Sequence, residues 1–293
     1  MEFKDLEIFQ MVAEKGTITK AAKELSYVQS NITARIQKLE AELNTPLFNR
    51  HNRGMNLTPE GKKLLVYCKQ ILSLTNEMKK VVQSKDEPSG KLEIGTVETV
   101  IQLPTILSAY NKKYKNVDMS LLSGVTEKLQ DDVLNHRLDG AFVTEKDRHP
   151  DLVSHEVFQE ELVLISDNTS TSLEQLKNEP FLCFSDGCGY RARLETWYKD
   201  QNITPRKVME FGTLETILSS VAVGLGITFV PKSAVSHLVN KGLIQCHSLP
   251  EKYSKINTVF IRRADAHLTS TIEKFIETIE HCKTEEVTSL SFV

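Results

Sequence analysis

The stretch QSNITARIQK, residues 29–38, gathers side chains whose chemistry suits reading a nucleic acid duplex. Gln and Asn carry the donor and acceptor pair that matches adenine, Arg matches guanine, Ser and Thr bond either, and Lys or Arg holds phosphates. Gln29, Ser30, Asn31, Thr33, Arg35 and Lys38 alternate with Leu25, Val28, Ile32, Ile36, Leu39 and Leu43, which recur at helical spacing and call for burial. The expected chemistry is DNA recognition. Gln29, Ser30, Asn31, Thr33 and Arg35 form the contact set near the helix start, and Lys38 meets a backbone phosphate. Arg50 and Arg53 suit phosphates or the adjoining minor groove. A solvated helix face would use the same residue types, so the neighbouring elements must decide.

A second group lies in the remainder of the chain. In GTVETV a strand runs into a helix, which puts Glu98 and Thr99 at an expected helix N-terminus with unsatisfied N–H groups. Such a site favours anions. A carboxylate at Glu98 would satisfy those donors itself and turn the site towards a cation or a neutral hydrogen-bonding ligand. Thr126, Thr144 and Thr213 stand at comparable strand ends, where open α/β sheets bind ligands, although helix capping would explain each of them equally well. Cys188, between two glycines at an expected helix start and followed by Arg191 and Arg193, sits where a thiolate would be stabilised. No residue pattern supplies it with a base, so a structural or pocket role is expected, with redox sensing and catalysis as rivals. The adjacent pairs Cys246–His247 and His281–Cys282 lack metal-ligand spacing, and Gly224 and Gly226 follow a helix rather than precede one. Neither a metal nor a cofactor is expected.

The elements around residues 29–38 favour recognition over a solvated face. Phe3, Leu6, Phe9 and Val12 give a first helix that Gly16 can end. Thr17 or Thr19 can cap a second, on which Ile18, Ala21, Ala22 and Leu25 form one face, and the small Ala21 and Ala22 allow a close helix crossing. Ser26, Tyr27 and Val28 are the length of a tight interhelical turn. After Pro46, two short segments joined by Asn52, Arg53 and Gly54 predict a hairpin, a wing. Thr58, Pro59 and Glu60 then start a long helix whose apolar positions Leu64, Leu65, Tyr67, Ile71, Leu74, Met78, Val81 and Val82 exceed what one small domain covers. A second copy of that helix is the expected partner, hence a dimer. SKDEPSGK, residues 84–91, reads as a linker, and beyond it strands and helices alternate as in a mostly parallel α/β domain of two lobes with a cleft between them.

Charge follows the same division. Residues 1–85 hold 14 Lys and Arg against 9 Asp and Glu, and the rest 22 against 30, so a segment at +5 precedes one at −8. The basic part suits a polyanion and the acidic part does not. Five scattered cysteines, Cys68, Cys183, Cys188, Cys246 and Cys282, and an opening MEFKDLEIF without a basic leader fit a reduced, cytoplasmic protein. No apolar run approaches the roughly 18 residues of a membrane span.

TITKAAKELSYVQSNITARIQKLEAELNTPLFNRHNRGMNLTPEG resembles the winged helix-turn-helix of LysR-type transcriptional regulators, through the paired alanines, Gln29 with Thr33, RIQKLEAEL, PLFNR and LTPEG. The C-terminal half resembles that family's periplasmic-binding-protein-like effector domain, and YVQSNITARI, GTVETVIQLP, LDGAFV and GCGYR are similar to a Bacillus-type group within it. The resemblance implies an α plus α/β fold: a winged helix-turn-helix at 1–58 (helix-turn-helix 18–37), a dimerisation helix and linker at 59–90, and an effector domain at 91–293. It also implies a regulator rather than an enzyme, with promoter DNA and a small-molecule effector as partners, and dimers paired into tetramers that bend the DNA between two sites. Val28 and Ala34 depart from the family, which usually has a serine at the first and often a basic or polar residue at the second. A different base preference is implied. The rival readings are a redox switch at Cys188 on the same scaffold, or an enzyme with chemistry at Cys188 whose N-terminal helices serve oligomerisation.

Overall fold

In a computed structural model, residues 1–51, 54–83, 87–145, 149–169, 176–204 and 207–290 are described, without the side chains of 77, 80, 81, 83 and 284–290. Arg53, the start of the linker and most of an expected helix at 173–177 lie outside the described residues. Met1–Gln83 form one compact unit, and most of the chain beyond it forms a second.

The first unit begins with α1 (Phe3–Lys15), whose first turn is fixed by the Glu2 N–H donating to Asp5 Oδ2 at 2.8 Å. Gly16, at φ 70°, ends it in the left-handed conformation that glycine adopts without penalty. Thr17 caps α2 (Ile18–Leu25), accepting from the Lys20 N–H at 3.2 Å. The turn through Ser26 and Tyr27 leads to α3 (Gln29–Glu42), whose Ile32, Ile36 and Leu39 are fully buried beside Leu6, Ile8, Phe9, Ala21 and Ala22. The wing follows as β1 (Phe48–His51) and β2 (Gly54–Leu57), paired antiparallel. Gly54 cannot be replaced cheaply, because its φ is 140° and an added Cβ would lie 2.5 Å from the Gly16 carbonyl oxygen. The long helix α4 (Pro59–Gln83) starts with Thr58 Oγ1 accepting from the Gly61 N–H at 3.0 Å. Cys68, Leu64, Leu65 and Leu72 pack into the unit's core, while Tyr67, Ile71, Leu74, Met78 and Val82 remain exposed.

Val28 occupies the N-cap of α3 with extended backbone and no side-chain hydrogen bond, and 68% of it is exposed. A serine hydroxyl would accept from a first-turn N–H, which the valine side chain cannot do. Val28→Ser is therefore expected to raise the denaturation midpoint of the full chain, by about 1 kcal/mol of stability. An unchanged midpoint would show that those N–H groups already have equivalent partners.

The second unit opens with β3 (Gly90–Thr96), α5 (Leu103–Lys113), β4 (Val117–Ser123), α6 (Thr126–Leu134) and β5 (Gly140–Thr144). There follow β6 (Leu152–Ser166), β7 (Phe181–Cys183), α7 (Gly189–Asp200), β8 (Val208–Glu210), α8 (Leu214–Ala222) and β9 (Thr228–Pro231). The chain continues through α9 (Lys232–Asn240), β10 (Gln245–Ser248), α10 (Glu251–Ser254), β11 (Lys255–Arg263) and α11 (Ser270–Leu290). The main sheet has the order β10-β6-β11-β5-β3-β4, with β9 also on β6. The expectation of mostly parallel pairing is corrected here. Pairs β3–β4, β3–β5 and β7–β8 are parallel, but β11 runs antiparallel to β5 and β6, as do β9 and β10 to β6.

Two strands produce that result. The stretch of β6 from Leu152 to Glu161 pairs with β11 in one lobe, and its end, Leu162–Ser166, pairs with β9 and β10 in the other. In the first lobe Tyr110, Phe142, Phe260 and Phe275 pack edge to face or tilted around a common core. Strand alternation builds the second lobe: Leu162 and Leu164 face a core with Trp197, Tyr198 and Phe229, whereas Val163 and Ile165 face one with Leu218, Val221 and Val230.

Candidate functional site

On α3 the buried stripe seats the helix on α1 and α2, which leaves the other face outward. Gln29, Ser30, Asn31 and Lys38 are exposed, and Thr33 and Arg35 are half-buried. Thr33 Oγ1 donates to the Gln29 carbonyl at 2.9 Å, and Thr19 Oγ1 donates to Gln29 Oε1 at 3.3 Å, so Thr33 and Gln29 are held to the local backbone and to α2. Arg50, exposed on the wing, stands 3.9 Å from Glu40.

The sequence reading missed an acidic clamp on the two α3 cations. The Arg35 guanidinium donates to Asp5 Oδ1 at 2.6 Å and to Glu2 Oε2 at 3.3 Å, and Lys38 Nζ donates to Glu2 Oε1 at 2.9 Å. Burial alone would raise the Asp5 carboxyl, but the Glu2 N–H and the Arg35 guanidinium outweigh it and hold it below the usual range. Hydrogen bonds from Lys38 and Arg35 likewise lower Glu2. The signal, two acids in the opening MEFKD, was in view, but its partners lie some thirty residues away. Any phosphate brought to Lys38 and Arg35 would have to displace Glu2. Glu2→Gln is expected to tighten binding to any duplex several-fold and steepen its salt dependence by up to about one unit. Fluorescence anisotropy on random-sequence DNA at several salt concentrations reads both, and unchanged affinity would remove Arg35 and Lys38 from the phosphate contacts.

In the second unit, the Glu98 geometry differs from the expectation. α5 begins only at Leu103, and residues 97–101 form turns in which the Ile101 N–H donates to the Thr99 carbonyl at 3.0 Å. Pro104 at the start of α5 and these turns displace the helix N-terminus from Glu98. Glu98 serves a different helix, accepting from the Leu214 N–H at 2.6 Å on the first turn of α8. A strand end of the first lobe thereby caps a helix of the second.

A cavity of about 180 Å³ lies at this junction, with Glu98, Thr99, Ser123, Lys128, Ser185 and Cys188 among its walls. Val97, Gly124, Val125, Phe184, Tyr190 and Gly212 complete the lining. Thr99 is buried, and its hydroxyl donates to the Tyr190 phenol at 2.7 Å. Burial, followed by the nearby Glu160 carboxylate, pushes the Tyr190 phenol upward, so it stays protonated. Cys188 is the N-cap of α7 and is 7% exposed.

The other expected ligand positions lie off this lining. Thr126 and Thr144 are buried, with Thr126 Oγ1 accepting from the Thr144 N–H at 3.4 Å, and a Cβ on Gly189 would touch Thr144 at 2.6 Å. Thr213 caps α8, accepting from the Thr216 N–H at 3.3 Å. Arg191 is occupied by Asp186, Glu195 and Glu210 at 3.3, 2.8 and 3.1 Å. For the three threonines the reason is common: a strand-end position fixes the layer of a residue but not the direction of its side chain, whereas Arg191, in the first turn of α7, is drawn to three carboxylates. Lys128, Ser123, Ser185 and Tyr190 were not singled out in the sequence, since each needs the fold to bring it to the cavity. Burial also pushes the Cys183 thiol up to about 11, which leaves little thiolate at neutral pH. Among the described residues no cluster of three or more His, Cys, Asp or Glu could hold a metal ion, and no helix is long and apolar enough to cross a membrane.

Residues 3–62 match the family described as bacterial regulatory helix-turn-helix protein, lysR family, and residues 85–283 match the LysR substrate binding domain. The chain belongs to the LysR family of transcriptional regulators. It is 59% identical over 281 residues to the HTH-type transcriptional regulator SoxR of Arthrobacter sp. (strain TE1826), covering 96% of this chain and 97% of that one. It is 53% identical over 282 residues to the HTH-type transcriptional regulator CzcR of Bacillus subtilis (strain 168), with 96% and 98% covered. Among solved structures, full-length CbnR in complex with its target DNA shares the fold with a TM-score of 0.69 at 23% identity, covering 96% of this chain and 99% of that one. A full-length OxyR variant from Pseudomonas aeruginosa does so at 0.70 and 21%, with 95% and 94% covered. The protein is a DNA-binding transcriptional regulator with an effector-binding domain, and not an enzyme.

Proposed function

We propose that residues 1–58 bind promoter DNA, residues 59–90 dimerise the chain and link its parts, and residues 91–293 sense a small molecule in the cavity beside Glu98. The observation that carries the reading is the outward polar start of α3, with Gln29, Ser30 and Asn31 exposed above a fully buried Ile32, Ile36 and Leu39. Such a helix fits the major groove, with its first turn deepest. Gln29, Ser30, Asn31 and Thr33 read base edges, Arg35 and Lys38 exchange their carboxylate partners for phosphates, and Arg50 and Arg53 add wing contacts. Thr126, Thr144, Thr213 and Arg191 shape and brace the effector site from behind its wall, while Glu98, Thr99 and Cys188 meet the effector. The outer stripe of α4 joins two copies, pairs of dimers make a tetramer, and the whole acts in the cytoplasm, where its DNA is. No cofactor or metal takes part.

Footprinting of the full-length protein on genomic fragments tests this. Two protected half-sites of related sequence, centred a multiple of about 10 bp apart, are expected. Protection by a variant in which Gln29, Ser30 and Asn31 are all alanine, with unchanged sequence preference, would refute the assignment of α3.

A further inference from the structure

We infer that the effector of the cleft cavity is a zwitterion of amino-acid size, its cationic nitrogen held by Glu98 and its carboxylate by Lys128 and the first turn of α7. This rests on reading the cavity as the effector site. Two unlike charges line one small space. Glu98 is fixed in position because its Oε2 accepts from the Leu214 N–H, while its Oε1 accepts no hydrogen bond from any described residue. A carboxylate oxygen offers two lone pairs, so an ammonium group can be bound without undoing the cap on α8. Lys128 lines the same cavity, is exposed, and has no ion-pair partner among the described residues.

Helix ends strengthen the positive pole. Val125 and Cys188, which immediately precede α6 and α7, both lie on the wall, and the Cys188 side chain makes no capping hydrogen bond to the turn that follows it. In the first turn of α6 the Glu127 N–H already donates to the Gly187 carbonyl at 3.3 Å, so it is the first turn of α7, whose N–H groups have no partner within their own helix, that adds to the pole. The third N-terminus at the junction, that of α8, is already taken by Glu98, which sets the polarity of the site. A simple anion would place its charge in a cavity that contains Glu98 and would leave that carboxylate without a counter-ion. A simple cation would do the same to Lys128. A ligand carrying both charges satisfies both poles, and about 180 Å³ leaves room for a small amino acid.

The test uses the full-length protein and thermal shift followed by titration calorimetry. Probes are the twenty proteinogenic amino acids, each matched to the carboxylic acid that lacks its amino group and the amine that lacks its carboxylate. At least one amino acid is expected to bind saturably, with both truncated partners weaker by about tenfold or more. Glu98→Gln keeps an acceptor for the Leu214 N–H and removes only the charge, and Lys128→Met removes the other. Each is expected to weaken that amino acid by about tenfold or more while leaving the melting temperature of the free protein in place. A carboxylate or an amine that binds as tightly as its amino acid overturns the inference, as does the absence of binding by every amino acid at millimolar concentration. Ser123→Trp, which fills the cavity from an exposed wall position, separates this from the underlying reading. Carboxylate binding that disappears in Ser123→Trp leaves the cavity as the effector site and removes only the zwitterion, whereas amino-acid binding unaffected by Ser123→Trp places the effector elsewhere and ends both.

Discussion

Leu74→Glu is expected to convert the protein to monomers and abolish high-affinity binding to a two-half-site operator. Leu74 is 55% exposed and lies in a stripe with Tyr67, Ile71, Met78 and Val82, whose spacings of four, three, four and four residues keep one face of α4 apolar. The adjoining side of the helix, with Leu64, Leu65 and Cys68, already packs into the unit's core, and the stripe itself stays uncovered in one copy. In a symmetric pair each substitution is felt twice. Losing the burial of two leucines costs roughly 3–6 kcal/mol before the desolvation of two carboxylates is added. Dimer dissociation should therefore rise by on the order of a thousandfold. Light scattering after gel filtration reads the mass, and circular dichroism reports that the helices remain. A Leu74→Glu protein that stays dimeric would remove α4 as the seam.

Gln29→Ala is expected to relax selectivity at one base pair of each half-site, with a loss of roughly 1–3 kcal/mol on the cognate sequence and none on random DNA. Gln29 is exposed in the first turn of α3, and the hydrogen bond from Thr19 holds its side-chain oxygen. That contact orients the amide before DNA arrives, which is the arrangement a bidentate bond to adenine needs. Competition gel shifts with every substitution at each position of the half-site would locate the affected base pair. Equal losses on cognate and random DNA would instead make Gln29 a backbone contact.

The N-terminal unit was legible because its information is local. Period, caps and turn length, in Thr17, Ala21, Ala22 and Ile32, lie within a few residues of what they determine. The α/β class of the C-terminal unit was legible for the same reason, from strands and helices in alternation. Strand direction was not, since the antiparallel runs of β6 and β11 depend on a pairing between residues about a hundred apart in sequence. Site chemistry divides along the same line. Glu98, Thr99 and Cys188 were singled out from local pattern and come to one cavity. The partner of Glu98 is 116 residues away, and that of Arg35 is 30, and neither distance leaves a trace in spacing. Lys128 could not be distinguished from any other exposed lysine until the wall it stands on existed.

The shared strand β6 limits how the effector can be felt. A residue-by-residue ladder with β11 runs into one with β9 and β10, interrupted by a register shift at Thr258 and Val259. Such a ribbon resists stretching, because that would break ladder bonds, and its local bend and twist concentrate at the irregularity. If the cavity is the effector site, its occupancy is expected to show as a slight wringing of the lobes rather than a clamshell closure. In the proposed assembly a signal that small would gain reach through mechanical gearing, with several copies turning together against a stiff length of duplex.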